Sequence, residues 1–242
     1  YCAEYFSENA VREMYRTAHI PVEATKAWVD SGYGLLGFPS EYGGRDADKV
    51  SVGLAIEAAC RYSAATLPFI NSSMALFYLS QFGRSDQIER AVEEYRRTGR
   101  TPFSLGISEP QAGSDTMNMT TCSARQSDGS YLINGEKTFL AQGSISPYIL
   151  VLAKDEDPSR DNSKISMWLI PRDSAGVALE PMEKIGQQII PVSKCVLSDV
   201  RAMEEDVLGE PGGGFIDLMK GLETERCYVA CWSLCLLYTS PS

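Results

Sequence analysis

The hydrophobic period of the chain changes once, near Pro102, and that change limits the fold more than any other feature. Before it, apolar side chains recur at helical spacing: within residues 49–62, Val52, Ala55, Ile56 and Ala59 share one face of a 3.6-residue repeat. Helices are predicted over residues 4–18, 22–30, 49–62, 67–81 and 86–97, with Asp48 and Ser85-Asp86 as N-caps and Gly83 and Gly99 as stops. After it, short segments rich in Tyr, Ile, Val, Leu and Thr follow a period of two. Strands are predicted over residues 103–107, 120–126, 130–133, 138–141, 148–154, 165–171, 177–181 and 193–197, with turns at Asp128-Gly129, Asn134-Gly135 and Ser146-Pro147. Residues 155–164 read as a solvated hairpin loop, because so charged a stretch has nothing apolar to bury.

Beyond the glycine-rich residues 209–214 the pattern turns helical again over 215–235. The expected fold class is α+β and multidomain. It comprises an N-terminal helical domain (residues 1–101), a central antiparallel β-barrel or sandwich domain (102–208) and the start of a C-terminal helical-bundle domain (209–242). The chain opens on Tyr1 inside a helical pattern, and residues 233–242 resemble translated adapter sequence, so a C-terminally truncated fragment with a non-native tail is expected.

Charge and cysteine usage remove several function classes. With 22 Lys+Arg against 32 Asp+Glu the net charge is −10, which leaves no basic footprint for nucleic acid. Seven cysteines without a C-x-x-C pair indicate neither a disulfide framework nor a zinc ribbon, and a reducing cytoplasm is the expected location. The single histidine, His19, excludes a His-rich metal centre, and a Ser-His-Asp triad would hang on it alone. No secretory leader opens the chain, and the apolar run 227–238 is too short for a bilayer, so no membrane association is expected. Gly32-Tyr-Gly-Leu-Leu-Gly37 matches a dinucleotide fingerprint but follows a helix, so it reads as a helix stop and an apolar turn. Gly212-Gly213-Gly214 lacks the Lys-Ser/Thr of a phosphate loop and reads as a flexible hinge. Cys227, Cys231 and Cys235 share a helical face as small apolar groups.

The informative segment is Ser108-Glu-Pro-Gln-Ala-Gly-Ser-Asp115, which leaves a predicted strand through a Pro-fixed turn flanked by hydroxyls. Such a loop either presents amide and hydroxyl donors to an anionic or heteroaromatic ligand or is an ordinary Asx/Ser turn. This segment resembles the T-E-P-x-A-G-S-D signature of the acyl-CoA dehydrogenases. Tyr131-Leu-Ile-Asn-Gly-Glu-Lys-Thr-Phe-Leu140 resembles their Y-x-L-N-G-x-K-x-W/F-I pair of strands, and Leu36-Gly-Phe-Pro-Ser-Glu-Tyr-Gly-Gly44 their P-x-E-Y-G-G turn. Residues 212–226 are similar to the family's G-x-G-F…L-x-x-E-R entry into its last domain, and the wording around Phe103 is nearest to the crotonobetainyl-CoA reductase and dehydrogenase group.

The resemblance implies an FAD flavoprotein of fatty acid metabolism, homotetrameric when complete, acting on acyl-CoA thioesters with an electron-transfer flavoprotein as partner. It implies that Ile107 and Ser108 lie against the flavin ring, that Gly113 and Ser114 meet the flavin diphosphate or the acyl-CoA, and that Phe139 stacks near the isoalloxazine. A hydroxyl the family uses at the flavin is replaced by Ala141, and a family arginine by Gln188. The implied chemistry removes an α-proton with a carboxylate while the β-hydrogen leaves as hydride, or the reverse. Most members carry that base in a region absent here; a minority carry it in the L-x-x-E-R helix, where Glu225 is the candidate base and Arg226 shapes the acyl pocket. The competing interpretation of Glu225 is a structural glutamate linked to Arg226. Two further functions are compatible with the scaffold: a non-catalytic acyl-CoA-binding protein, suggested by Ala141 and Gln188, and a flavin-dependent monooxygenase.

Overall fold

The computed structural model describes residues 1–66, 68–156 and 164–239. Its helical layer contains α1 (Cys2–Tyr5), α2 (Glu8–Thr17), α3 (Val22–Asp30), α4 (Lys49–Tyr62), α5 (Pro68–Phe82) and α6 (Ser85–Thr98). The helix expected over residues 4–18 is broken at Phe6, whose ring is buried, and restarted by Ser7, whose hydroxyl accepts from the Ala10 amide at 3.4 Å. Asp48 caps α4 by accepting from the Ser51 amide at 2.7 Å, and Gly99 ends α6 in the left-handed conformation, as the sequence indicates. Helix α5 is apolar around most of its circumference, with Phe69, Ile70, Met74, Leu76, Tyr78 and Leu79 all buried, so it can only sit between other elements. Trp28 of α3 stacks on Phe69 at 4.2 Å between ring centroids.

The strands are β1 (Phe103–Gly106), β2 (Cys122–Arg125), β3 (Tyr131–Ala141), β4 (Tyr148–Glu156), β5 (Ile165–Pro171), β6 (Val177–Pro181), β7 (Val192–Ala202) and β8 (Val207–Leu208). They form one sheet in the order β6-β7-β3-β2-β4-β5-β8, with β1 also paired to β4. Of the expected antiparallel barrel or sandwich, the sandwich-like arrangement is the one that forms: the sheet is open, and it is mixed rather than purely antiparallel because β1 and β2 both run parallel to β4. Since β5 occupies the other edge of β4 from Tyr148 to Lys154, β1 and β2 lie end to end along a single edge. Everything between them, residues 107–121, is an excursion out of the sheet.

Strand β4 faces two cores. Ile149, Val151 and Ala153 join Tyr131, Trp168 and Cys195 on one side, while Leu150 and Leu152 join the helices on the other. Burial of both faces explains why this strand is a near-continuous apolar run rather than an alternating one. At Asn134-Gly135 no turn forms. β3 runs straight through, and the extra residue lies on β7, where left-handed Asp199 exchanges hydrogen bonds with the Asn134 side chain. Gly135 is required because a Cβ there would sit 2.3 Å from Thr121 Oγ1. The solvated loop assigned to residues 155–164 fails at its first residue. Asp155 is buried and accepts from Ser123 Oγ at 3.1 Å and Ser166 Oγ at 2.8 Å; residues 157–163 lie outside the described residues.

Helix α7 (Gly214–Thr239) lies across α4 and α5. The glycine run before it is no loose hinge: Gly213 bridges to Ile165, and the Gly212 amide donates to Ser166 Oγ at 2.8 Å. Tyr78 donates from its hydroxyl to the Leu218 carbonyl at 3.0 Å, and Lys49 donates to Thr224 Oγ1 at 3.0 Å. Of the three cysteines expected to share a helical face as small apolar groups, Cys231 meets Gly53, Cys227 is exposed, and the Cys235 side chain lies outside the described residues. Among the described residues, no helix is long and apolar enough to cross a membrane.

Gly221 lets the Tyr78 ring rest on the α7 backbone, since a Cβ there would lie 1.9 Å from Tyr78 Cζ. Gly221→Ala is expected to lower stability by about 1–3 kcal/mol through this overlap, despite the better helix propensity of alanine. The thermal unfolding midpoint measures it; an unchanged or raised midpoint contradicts the packing described.

A candidate cofactor and substrate cleft between β1, β3, α5 and α7

The excursion between β1 and β2 is held by a carboxylate that never reaches solvent. Glu109 Oε1 accepts from Lys137 Nζ at 2.8 Å and from the Thr121 amide at 3.0 Å. Its Oε2 accepts from the Thr120 amide at 2.6 Å, the Thr120 hydroxyl at 2.9 Å and Gln111 Nε2 at 2.6 Å. Both side chains of the ion pair are fully buried, and Lys137 also donates to the Ile107 carbonyl at 3.2 Å. Burial alone would raise the Glu109 pKa; the ammonium and the convergent amide and hydroxyl donors outweigh it and hold the carboxyl down at about 2. The pair thus ties both ends of the excursion to β3.

Strand β3 is irregular where it faces this loop. Between Lys137 and Leu140 it advances three residues while β7 advances two, which is a β-bulge. Regular alternation would bury Phe139 beside Lys137. The bulge instead buries Lys137 and Leu140 and turns Phe139 outward, leaving it 67% exposed. Phe139 has φ +62, a conformation a bulky residue adopts only when its surroundings impose it. The Thr138 amide donates to the Ser108 carbonyl at 2.8 Å, and Ser104 Oγ donates to the Ala141 carbonyl at 2.8 Å, so the loop base and the bulge form one unit.

A cleft of about 240 Å³ opens over this unit. Ile107, Ser108, Phe139 and Ala141 line it from the sheet side, Met74 and Tyr78 from α5, and Leu222 and Glu225 from α7. Glu225 has no hydrogen bond or ion pair among the described residues, and burial pushes its carboxyl above the usual range while Arg226 pulls it down. Desolvation, and then the charge of Glu225, raise the Tyr78 phenol. One polar atom stands out: Thr138 Oγ1 is buried on the cleft wall without a hydrogen-bond partner.

Of the residues singled out in the sequence, Ile107, Ser108, Phe139, Ala141 and Glu225 meet at this cleft. Gly113, Ser114 and Arg226 do not line it; all three are exposed, and a Cβ on Gly113 would meet nothing within 4 Å. Gln188 is exposed on a different surface. Thr138, Tyr78 and the Glu109–Lys137 pair were not anticipated. Glu109 and Lys137 each stand in a motif quoted from the sequence, but neither motif shows that the two side chains pair. Among the described residues, no group of His, Cys, Asp and Glu could hold a metal ion.

Residues 1–97 match the family model described as the N-terminal domain of acyl-CoA dehydrogenase, and residues 104–200 match that of its middle domain. The probable acyl-CoA dehydrogenase YdiO of Escherichia coli (strain K12) is 32% identical over 92% of this chain and 59% of its own length. A 3-(aryl)acrylate reductase of Clostridium sporogenes is 32% identical over 96% of this chain and 62% of its own length. The solved structure of butyryl-CoA dehydrogenase from Megasphaera elsdenii superposes with a TM-score of 0.81 at 26% identity, covering 91% of this chain and 59% of that one. The chain thus spans about three fifths of these relatives.

The Glu109 carboxyl titrates lower in the folded chain, at about 2, than its ordinary 4.5. Its contribution to stability is therefore complete above pH 4.5 and is lost as the pH falls toward 2. Glu109→Gln is expected to destabilise by about 3–5 kcal/mol at pH 7, because Lys137 is left buried and unpaired. The loss should shrink toward pH 2 and be smaller in the Glu109→Gln/Lys137→Met double variant. Denaturant unfolding across that pH range measures both effects, and a single-variant loss independent of pH contradicts them.

Proposed function

The chain belongs to the acyl-CoA dehydrogenase family, and from that membership we propose that the whole protein is an FAD-dependent oxidoreductase that interconverts an acyl-CoA and its 2-enoyl-CoA. The observation that carries the reading is the meeting, in one cleft, of an outward-turned Phe139 and a half-buried Glu225 without a hydrogen-bond or ion-pair partner among the described residues. Members of the family are flavoproteins, and the cleft wall suits a flat heteroaromatic group. It offers one aromatic face, the backbone of Ile107 and Ser108, and the partnerless hydroxyl of Thr138 as a hydrogen-bond donor. Ala141 offers no hydroxyl, and Thr138 Oγ1 is the available replacement. A bound flavin supplies the two-electron acceptor for the β-hydrogen.

This chain's own residues provide the rest. The thioester α-carbon is weakly acidic, so a base with a raised pKa is better matched to it than an ordinary carboxylate. Glu225 meets that requirement because α5, α7 and the sheet desolvate it, and its ionised form takes the α-proton onto a carboxylate oxygen. Met74, Tyr78 and Leu222 supply apolar wall for the acyl group and keep water from the base. Gly113 and Ser114, on the exposed flank of the excursion, are assigned to the diphosphate of the cofactor or of CoA, and Arg226 to the outer rim of the acyl pocket. A homotetramer, an electron-transfer flavoprotein as oxidant and a cytoplasmic location complete the proposal.

In the full-length protein, Glu225→Gln is expected to retain flavin and lose turnover by about 10²–10⁴-fold. It should also be no less stable than wild type at pH 7, because the folded state holds this carboxyl's proton more tightly than the unfolded chain does and ionising it there costs stability. Wild-type turnover in the variant removes Glu225 from the role. Thr138→Val is expected to weaken flavin binding and shift the flavin absorption spectrum; an unchanged spectrum and affinity remove the assignment of Thr138.

A further inference from the structure

A second cleft, of about 210 Å³, lies where the ends of α2 and α3 meet the sheet, on the opposite flank of the β3 terminus. Its wall is apolar, with Ile20, Val22, Ile145, Ile189 and Ile190. Ile189 and Ile190 are themselves buried in the cluster that contains Phe6, Trp28 and Phe69, so this wall is part of the packed core. Four polar side chains reach the cleft: His19, Thr25, Arg100 and Gln142; the Thr25 hydroxyl is already used, donating to the Val22 carbonyl at 3.0 Å. No acidic side chain lines it, although the chain as a whole carries a net charge of −10.

Two of these polar groups are unsatisfied. Gln142 is only 4% exposed, yet its Nε2 has no hydrogen-bond partner. A buried amide donor left open in this way costs about 1–3 kcal/mol, and one that lines a cleft is available to a ligand that accepts from it. Its backbone is fixed at φ +62, with its amide donating to the Pro191 carbonyl at 2.6 Å and its carbonyl accepting from Ile145 and Ser146, so the side chain cannot readily turn away. Arg100 is half-buried, and its guanidinium has no hydrogen-bond or ion-pair partner among the described residues.

We infer that this cleft is a binding site for a small apolar monocarboxylate. The carboxylate would pair with Arg100 and accept from Gln142 Nε2, and the hydrocarbon body would lie against the isoleucines. A cavity of about 150 Å³ lined by aliphatic side chains accommodates benzene. The volume here therefore suits one ring with a short acid arm, or an alkyl chain of similar bulk. The inference does not depend on the flavin cleft, to which Arg100 and Gln142 do not contribute.

Calorimetric titration of the full 242-residue chain with 3-phenylpropanoate and with octanoate tests it directly. Saturable binding with a submillimolar Kd is expected, and 3-phenylpropanol, which keeps the ring and lacks the charge, should bind at least tenfold more weakly. Arg100→Gln should weaken the acids at least tenfold and leave the alcohol unchanged. Gln142→Asn, a residue tolerant of the left-handed backbone, should weaken the acids with the thermal midpoint preserved. Phe139→Ala, in the other cleft, should leave their affinity unchanged. Absence of saturable binding, equal affinity for acid and alcohol, or loss of binding in Phe139→Ala with Arg100→Gln unaffected each overturns the proposal.

Discussion

The buried ion pair between Glu109 and Lys137 is the constraint on which the cleft between β1, β3, α5 and α7 depends. β1 and β2 share one edge of β4, so the fifteen or so residues between them have no ladder to join, and a loop of that length would ordinarily explore many shapes. One carboxylate removes that freedom by collecting five donors from Gln111, Thr120, Thr121 and Lys137. A buried ion pair is weak evidence for net stability, because desolvation offsets much of the attraction. Its value here is positional. An apolar pair of equal volume could fill the space but could not bind two backbone amides and the Ile107 carbonyl at fixed points.

The same lysine is one anchor of the bulge. Lys137 and Leu140 are both fully buried, and between them two residues must fit where the partner strand supplies one. The surplus appears as Phe139 at φ +62, an aromatic ring placed on the surface of a cleft at the expense of backbone strain. Strain of about 1–3 kcal/mol persists only where neighbouring structure over-determines it. The neighbours are identifiable: the ion pair below, the Thr138–Ser108 bond beside it, and the Ser104–Ala141 bond beyond. The exposed aromatic face and the unpartnered Thr138 hydroxyl follow from one irregularity in one strand.

Much of this was legible in the sequence, and the failures have a common cause. The helical half, the strand-rich half and the Asp128-Gly129 turn announce themselves through short-range periodicity and turn chemistry, where Asp128 accepts from both the amide and the hydroxyl of Ser130. Asn134-Gly135 carries the same dipeptide signal but became a bulge contact, because Asp199, 65 residues away, offered its side chain to Asn134. The charged neighbours of Asp155 point to solvent, whereas Ser123 and Ser166 come to it from other strands. The glycines at 212–214 suggest flexibility by type, and in the fold they serve close approach to β5. In each case the residue type was informative and its partner was distant. The cleft residues Ile107, Ser108, Phe139 and Ala141 were found through a motif; Thr138 was not, since an unpaired hydroxyl is a property of the assembled wall.

The end of β3 serves two clefts at once, and how it is held decides whether they communicate. Phe139 and Gln142 are both left-handed, three residues apart, and they face different cavities. Between them Leu140 is fully buried in the sheet core and the Ala141 carbonyl is bonded to Ser104. For occupancy of one cleft to reach the other, this segment would have to possess a second arrangement that a ligand could favour. A second arrangement that withdrew Leu140 from its close-packed core or gave up the bond to Ser104 would lose packing or about 0.5–1.5 kcal/mol of hydrogen bonding, and both losses oppose such a shift. The segment is thus pinned by Leu140 and by the Ser104 bond, and it places an aromatic ring in one cleft and a carboxamide in the other from a single stretch of strand.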